Sequence, residues 1–222
     1  MYEKEEDAYF RKMVSEFIYA PCESLSKQLN KPTEEVIYKI IETPLDYILS
    51  IVDEGEIEYC STRYIPQYSD LNSAIIMEIN YLAENGSCSL ERIGSILPKQ
   101  ITDSVCARVK YGENHSKLLE TFGLAQVQNS SVQLTEMDFS FSQLDLNERI
   151  EYIKRSIFRT PIIRNIMIKS EYQVVSVKNE LLLFLSESTA KRRLANVCDL
   201  IKLLESSDQP NIKNRLHNIK RR

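Results

Sequence analysis

Residues 186–206 are the stretch that most restricts how this chain can fold. The stretch contains no Gly or Pro, and it opens with Ser and Thr hydroxyls that can cap the free amides of a first helical turn. Apolar residues recur on one side at helical spacing, namely Ala190, Leu194, Val197, Cys198, Ile201 and Leu204. The pattern predicts an amphipathic helix of about four turns that packs with this face.

The opposite side of the same helix is polar and cationic. It carries Thr189, Arg192 and Asn196, flanked by Lys191 and Arg193. Phosphates bind Lys and Arg, and base edges are read by Arg, Asn, Ser and Thr, so this face is typical of a DNA recognition helix. The alternative is an ordinary solvated helix, because charge runs usually face water and Leu203 also lies on this side.

Charge is distributed unevenly along the 222 residues. Residues 149–222 contain 16 Lys and Arg residues and 7 Asp and Glu residues. Residues 1–148 contain 12 Lys and Arg residues and 25 Asp and Glu residues. A polyanion is attracted to the cationic end and repelled by the acidic end. We therefore expect DNA at the C-terminal end and a protein partner at the acidic N-terminal region.

The rest of the sequence predicts short helices, punctuated by Pro and Gly, and two β-hairpins. The helices are expected at about 3–19, 24–30, 33–43, 71–85, 89–97, 102–122, 147–159, 161–169 and 177–185. The hairpins are expected at 47–59, with its turn at 53–55, and at 124–135, with its turn at 129–131. Three helices followed by a hairpin are the elements of a winged helix-turn-helix.

This order of elements predicts a mainly α protein with small β-hairpin wings, built from tandem winged helix-turn-helix units. The expected domains are an acidic winged helix at 1–66, a second winged helix at 67–143, a helix-turn-helix module at 144–206 and a basic tail at 207–222. The repetition lies in the order of the elements and not in the residues.

Four segments of the sequence resemble a known family. They are YGENHSKLLETFGLA at 111–125, VQLTE at 132–136, LNERI at 146–150 and STAKRR at 188–193. Together they look like the tandem helix-turn-helix module attached to restriction-endonuclease-like and ATPase-associated proteins of prokaryotic DNA defence. The resemblance implies a module that binds DNA or organises a complex.

Signs of catalysis are few. The five Gly residues are isolated and are expected at turns or helix ends, so no phosphate-binding loop is predicted. The acidic run from Asp53 to Glu58 is expected to be a solvated hairpin and not a metal-dependent nuclease site. His115 is expected to pack within a helix bundle. The sequence predicts a protein that is not an enzyme and has no cofactor.

The cysteines and the apolar runs restrict the remaining possibilities. Five scattered cysteines and two histidines form no zinc motif, so buried reduced thiols are expected and no metal site is predicted. No apolar run is long enough to span a bilayer, and residues 1–7 lack the chemistry of a signal peptide. A cytoplasmic protein without a membrane partner is expected.

Two functional classes stay open at this point. The first is a double-stranded DNA-binding regulator or targeting subunit of a prokaryotic DNA-defence or restriction-type system. The second is a non-catalytic adaptor that packs on an ATPase or nuclease, resembling the acidic tandem winged-helix subunits of chromosome-organising complexes. For the first class, the expected DNA contacts are Ser188, Thr189, Lys191, Arg192, Arg193, Asn196, Lys213, Arg215, Lys220, Arg221 and Arg222.

Overall fold

A computed structural model describes residues 2–19, 30–54, 60, 65, 67–68, 71, 76–97, 104–135 and 140–221, which are mainly helical. The helices are α1 (Tyr2–Tyr19), α2 (Thr33–Glu42), α3 (Leu45–Asp53), α4 (Glu78–Asn85), α5 (Leu90–Ile96), α6 (Val105–Thr121), α7 (Leu146–Ser156), α8 (Pro161–Lys169), α9 (Val177–Leu182), α10 (Glu187–Leu203) and α11 (Pro210–His217). Turns of 3₁₀ helix follow α7 at Ile157–Arg159 and α10 at Leu204–Ser206. The strands are β1 (Cys88–Ser89), β2 (Ala125–Gln128), β3 (Ser131–Leu134), β4 (Val175–Ser176) and β5 (Ile219–Lys220).

Internal contacts group the chain into two compact units. Unit 1 combines Met1–Ala20, Tyr38–Ile65 and Ile150–Arg222, and unit 2 combines Pro21–Ile37 and Pro66–Arg149. The division therefore differs from the consecutive domains that the sequence analysis placed at 1–66, 67–143, 144–206 and 207–222. Residues from both ends of the chain build unit 1.

The predicted strand at 47–52 is wrong, because these residues belong to α3. Its β-branched residues favour a strand locally, but Leu45, Ile48, Leu49 and Val52 recur at helical spacing and are all buried. Asp53 ends this helix and contacts buried Arg215, so it is not part of a solvated hairpin. The second predicted strand of that wing and residues 24–29 of the predicted short helix lie outside the described residues. Asn30, the last residue of that predicted helix, lies in a turn with a positive φ of 52°.

Unit 1 has a core shared by residues that are distant in sequence. The rings of Phe17 in α1 and Tyr152 in α7 meet edge to face, with centroids 5.7 Å apart. The Arg159 guanidinium lies over the Phe17 ring, 5.3 Å from its centroid. Strand β4 pairs in parallel with β5, with Val175 opposite Ile219. Helix α1 thus belongs to the core that also contains the C-terminal helices.

Unit 2 contains the hairpin that the sequence predicted at 124–135. Strands β2 and β3 pair antiparallel, and β1 pairs on the other side of β3, so the sheet order is β1-β3-β2. Asn129 and Ser130 form the turn with positive φ angles of 50° and 61°, the left-handed pair that a two-residue hairpin favours. Gly86 is the C-cap residue of α4, and Gly123 follows Phe122, the C-cap residue of α6. Both glycines have positive φ angles, which let the chain leave the helix.

Two other glycines of unit 2 are placed differently from the prediction. Gly94 and Gly112 do not lie at helix ends, because they sit inside α5 and α6, where these helices approach each other closely. A Cβ atom at Gly94 would overlap the Arg108 backbone, lying 2.8 Å from its carbonyl carbon. A Cβ atom at Gly112 would lie 2.9 Å from the Leu90 carbonyl carbon. The missing side chains therefore permit backbone-to-backbone contact between the two helices.

Candidate nucleic-acid interface

Helices α9 and α10 of unit 1 are joined by a short connection at 183–186. Ser186 is the N-cap residue of α10, and its carbonyl oxygen accepts the first helical hydrogen bond from the Ala190 amide at 2.9 Å. Its hydroxyl does not cap an amide, which corrects the prediction of side-chain capping. The hydroxyl donates instead to Thr189 Oγ1 at 3.1 Å, so the first-turn amides lack the predicted side-chain cap.

The apolar face of α10 is confirmed. Ala190, Val197, Cys198, Ile201 and Leu204 of the predicted stripe are buried, and Leu194 is half-buried. Leu200, which the sequence analysis left out of the stripe, is also fully buried. The buried face is therefore wider than predicted.

This wider face explains an error about Asn196. The residue was expected on the exposed side with Arg192, but its side chain is buried with 8% of its surface exposed. Asn196 lies one helical turn before Leu200, so both point to the packed side. With so little of its surface exposed, Asn196 is not part of the exposed polar face of α10.

The remaining polar residues at the start of α10 do meet solvent. Ser188, Lys191 and Arg192 are exposed, and Thr189 and Arg193 are half-buried. Burial, followed by the repulsion of Arg192, lowers the pKa of Arg193 to about 10. Within the described part of the chain, no carboxylate forms an ion pair with Lys191, Arg192 or Arg193.

Several other cations of unit 1 have local anionic partners. Lys202 near the end of α10 pairs with Asp199 at 3.0 Å, Lys213 pairs with Asp208 at 3.2 Å, and Arg221 pairs with Glu205 at 2.5 Å. Lys178 and Lys220 are exposed and form no ion pair within the described ranges. The beginning of α10 differs because three such cations stand there at consecutive positions, although Glu187 also lies in the first turn. Such a surface is electrostatically suited to an external anion.

No family model, curated protein or solved structure matches this chain. None of the described helices is long and apolar enough to cross a membrane. Across the described ranges, no group of three or more His, Cys, Asp and Glu side chains is arranged to hold a metal ion. Assignment of a function therefore depends on the chemistry of the α10 surface itself.

The segment predicted as a basic tail is folded. Ile212 and Arg215 in α11 and Ile219 in β5 are buried. Lys213 and Lys220 are exposed as expected, whereas Arg221 is half-buried and its carbonyl oxygen accepts from the Cys198 thiol at 3.6 Å. Arg222 lies outside the described residues.

Arg215 was expected to face DNA, but its guanidinium is buried. It donates to the Met167 carbonyl oxygen at 2.7 Å and to Asp53 Oδ2 at 2.5 Å, and it also contacts Glu171. A cavity of about 330 Å³ lies beside it, and Asp53 and Glu171 are among its lining residues. Because Arg215 engages both carboxylates, its charge is compensated within unit 1 and is not available to an external phosphate.

His115 and the cysteines are the other side chains whose environment was predicted from the sequence. His115 is fully buried and its Nδ1 lies 3.0 Å from the Tyr111 carbonyl oxygen, which confirms the expectation that it packs within the helices. Cys60 and Cys198 are buried, but Cys88 is half-exposed and Cys106 is exposed, so the expectation of buried thiols holds only in part. Cys22 lies outside the described residues.

Ser186 is the member of the α10 surface that the sequence analysis did not include among the DNA contacts. The sequence contained an indication of this, because Ser186, Thr189 and Arg192 follow one another at intervals of three residues. Residues three apart are neighbours on a helix surface, so the three polar side chains could have been placed on one line.

Proposed function

We propose that this protein binds double-stranded DNA, with the beginning of α10 entering the major groove. The observation that carries the proposal is the group Lys191, Arg192 and Arg193, which has no carboxylate partner within the described residues. Burial makes the charge of Arg193 costly, and a phosphate would compensate it. The neighbouring hydroxyls of Ser188 and Thr189 can also donate hydrogen bonds to phosphate oxygens.

The local architecture supports the same function. Helix α9, a four-residue connection and helix α10 have the order of a helix-turn-helix, in which the N-terminal residues of the second helix contact base edges. In unit 2, the order α4-β1-α5-α6-β2-β3 with the sheet order β1-β3-β2 supports one winged helix. The tandem arrangement also requires a hairpin wing in the N-terminal region. That wing has less support, because α3 occupies the positions predicted for the first strand of the hairpin.

We assign the protein to the class of regulators or targeting subunits of prokaryotic DNA-defence or restriction-type systems. The support for this assignment is the sequence resemblance of residues 111–125, 132–136, 146–150 and 188–193. Residues 1–148 are acidic, and DNA phosphates repel an acidic region. This composition supports a protein partner there. We propose that the chain acts in this role without a cofactor and without catalysis of its own.

Replacing Arg192 and Arg193 by Ala should reduce the salt dependence of DNA binding. If both residues contact phosphates, the slope of log affinity against log salt should fall by roughly 2, because about 0.9 counterion is released per contact. If only Arg193 contacts a phosphate and Arg192 contacts a base, the slope should fall by roughly 1. The fold should survive, since neither residue belongs to the fully buried face of α10. Fluorescence anisotropy with a labelled duplex at several salt concentrations measures the slope.

The matched control replaces Lys202 and Lys110 by Ala. It removes the same number of positive charges from α10 and α6, but neither lysine is a predicted DNA contact and each already has a carboxylate partner. The slope of the control should stay close to that of the parent. An unchanged slope in the Arg192 and Arg193 variant, or a parent that binds no duplex at low salt, would favour the adaptor function instead.

A further inference from the structure

Three side chains at the start of α10 form a chain of hydrogen bonds that ends on Arg192. Ser186 Oγ donates to Thr189 Oγ1 at 3.1 Å, and Arg192 Nη2 donates to the same oxygen at 3.3 Å. Ser188 Oγ lies 3.4 Å from Ser186 Oγ and extends the group. Thr189 Oγ1 is therefore the common acceptor that two donors share.

This arrangement restricts the direction of the Arg192 side chain. An exposed arginine samples many rotamers, and ordering it on binding has an entropic cost. The bond to Thr189, one turn towards the N-terminus, orients the guanidinium towards the end of α10 that joins the connection at 183–186. Base-edge contacts of a recognition helix are made at this end.

The bond to Thr189 uses one of the guanidinium donors. An arginine has five N–H donors in a planar fork, so a pair of parallel donors stays available. Two acceptors on one base edge match this fork, and guanine offers O6 and N7 in the major groove. Arg192 is exposed and lacks a carboxylate partner in the described ranges, so nothing there occupies the fork.

We infer that Arg192 reads a guanine in the major groove and that Thr189 is the positioning residue that orients its guanidinium. The inference rests on the proposed DNA binding and names the base that the site selects. Arg193 takes the other role: it is half-buried beside the apolar face, so it contacts the sugar-phosphate backbone and contributes no sequence preference.

The test measures base preference separately from overall affinity. A randomised duplex library is bound to the parent and the selected sequences are read. Affinity is then measured for the selected duplex and for one in which the preferred G·C pair is replaced by A·T. The parent should prefer the selected duplex by about tenfold or more, the discrimination that a bidentate contact gives.

Three variants assign the preference to particular atoms. Thr189→Val keeps the branched shape but removes the hydroxyl, so affinity for the selected duplex should fall to nearly that for the A·T duplex. Loss of a phosphate contact by the Thr189 hydroxyl would weaken binding to both duplexes equally, so the ratio of the two affinities is the measure of the preference. Thr189→Ser keeps the acceptor and should restore the preference. Arg192→Lys keeps the charge but loses the fork, so it should behave like Thr189→Val. Circular dichroism checks that each variant retains its helix content.

The outcomes separate this inference from the function on which it rests. If the parent binds duplex DNA but selects no guanine, or if Thr189→Val keeps the full preference, the inference is overturned and DNA binding stands. If Thr189→Ser fails to restore the preference, the acceptor role of Thr189 is overturned. If the parent binds no duplex at low salt, both the inference and the proposed function are overturned.

Discussion

Replacing Gly112 or Gly94 by Ala is expected to destabilise unit 2 by about 3 kcal/mol, the upper end of the usual cost of overpacking. Alanine favours a helix over glycine by about 1 kcal/mol, which would normally stabilise an interior position. Here the added methyl group would overlap the backbone of the facing helix, at Leu90 for Gly112 and at Arg108 for Gly94. Since backbone cannot rotate away as a side chain does, the steric cost exceeds the gain in propensity.

Thermal unfolding of the purified variants measures this effect. A loss of 3 kcal/mol lowers the melting temperature of a unit of this size by about 10 °C or more. Gly86→Ala is a comparison without steric overlap, because a Cβ there meets nothing within 4 Å. Only its backbone angles, φ 71° and ψ −138°, oppose a side chain, which should cost about 1–3 kcal/mol. If Gly94→Ala and Gly112→Ala instead raised the melting temperature, as helix propensity alone would, α5 and α6 would not be in close contact.

Replacing Arg215 by Ala is expected to destabilise unit 1 by about 3 kcal/mol. Removing one partner of a buried ion pair leaves the other charge uncompensated and typically costs about 3–5 kcal/mol. The lower end applies because the Asp53 and Glu171 side chains are 26% and 41% exposed. Lys213→Ala is the control on the same helix: its partner Asp208 is fully exposed, so the loss should be within about 0.5 kcal/mol.

The cost of Arg215→Ala should also depend on pH. Burial raises the pKa of Asp53 above its ordinary value of 3.8, and Arg215 opposes that rise. Without Arg215 the pKa of Asp53 should rise further. Asp53 is then protonated at a higher pH in the variant than in the parent, and protonation removes the cost of its uncompensated charge. Urea unfolding measures the free energy of unfolding of the parent and of the variant. The difference between the two should become smaller as the pH falls through the pKa of Asp53 in the variant. A difference that is independent of pH would exclude an ion-pair origin.

Local patterns in the sequence were sufficient to predict most of the secondary structure. Helix α8 begins at Pro161, the first-turn position that proline favours, and the hairpin of β2 and β3 follows from alternating residues around a turn. The strand predicted at 47–52 failed because the same residues satisfy a helical repeat, and burial of Ile48 and Leu49 decided in favour of the helix.

The candidate site was predictable only as far as it depends on a single helix. Arg192 and Arg193 follow from the spacing within α10, and their placement near its start required no other information. The burial of Arg215 could not be predicted in this way, because its partner Asp53 lies 162 positions away. The Gly94 and Gly112 contact likewise depends on which two helices meet.

The discontinuous composition of unit 1 has a consequence for biosynthesis. The apolar face of α1 emerges from the ribosome early, but the Phe17 carbonyl oxygen accepts a hydrogen bond from Arg159, which is translated 142 positions later. At about 5–20 residues per second, this delay amounts to roughly 7–30 s. During that time Met13, Val14, Phe17 and Ile18 lack the part of the core that follows α3 in the sequence. Helix α3 is translated earlier and already contacts α1, since the ring centroids of Phe10 and Tyr47 lie 5.1 Å apart. The nascent chain would therefore present part of the apolar face of α1 to ribosome-associated chaperones until the helices around Arg159 have been made.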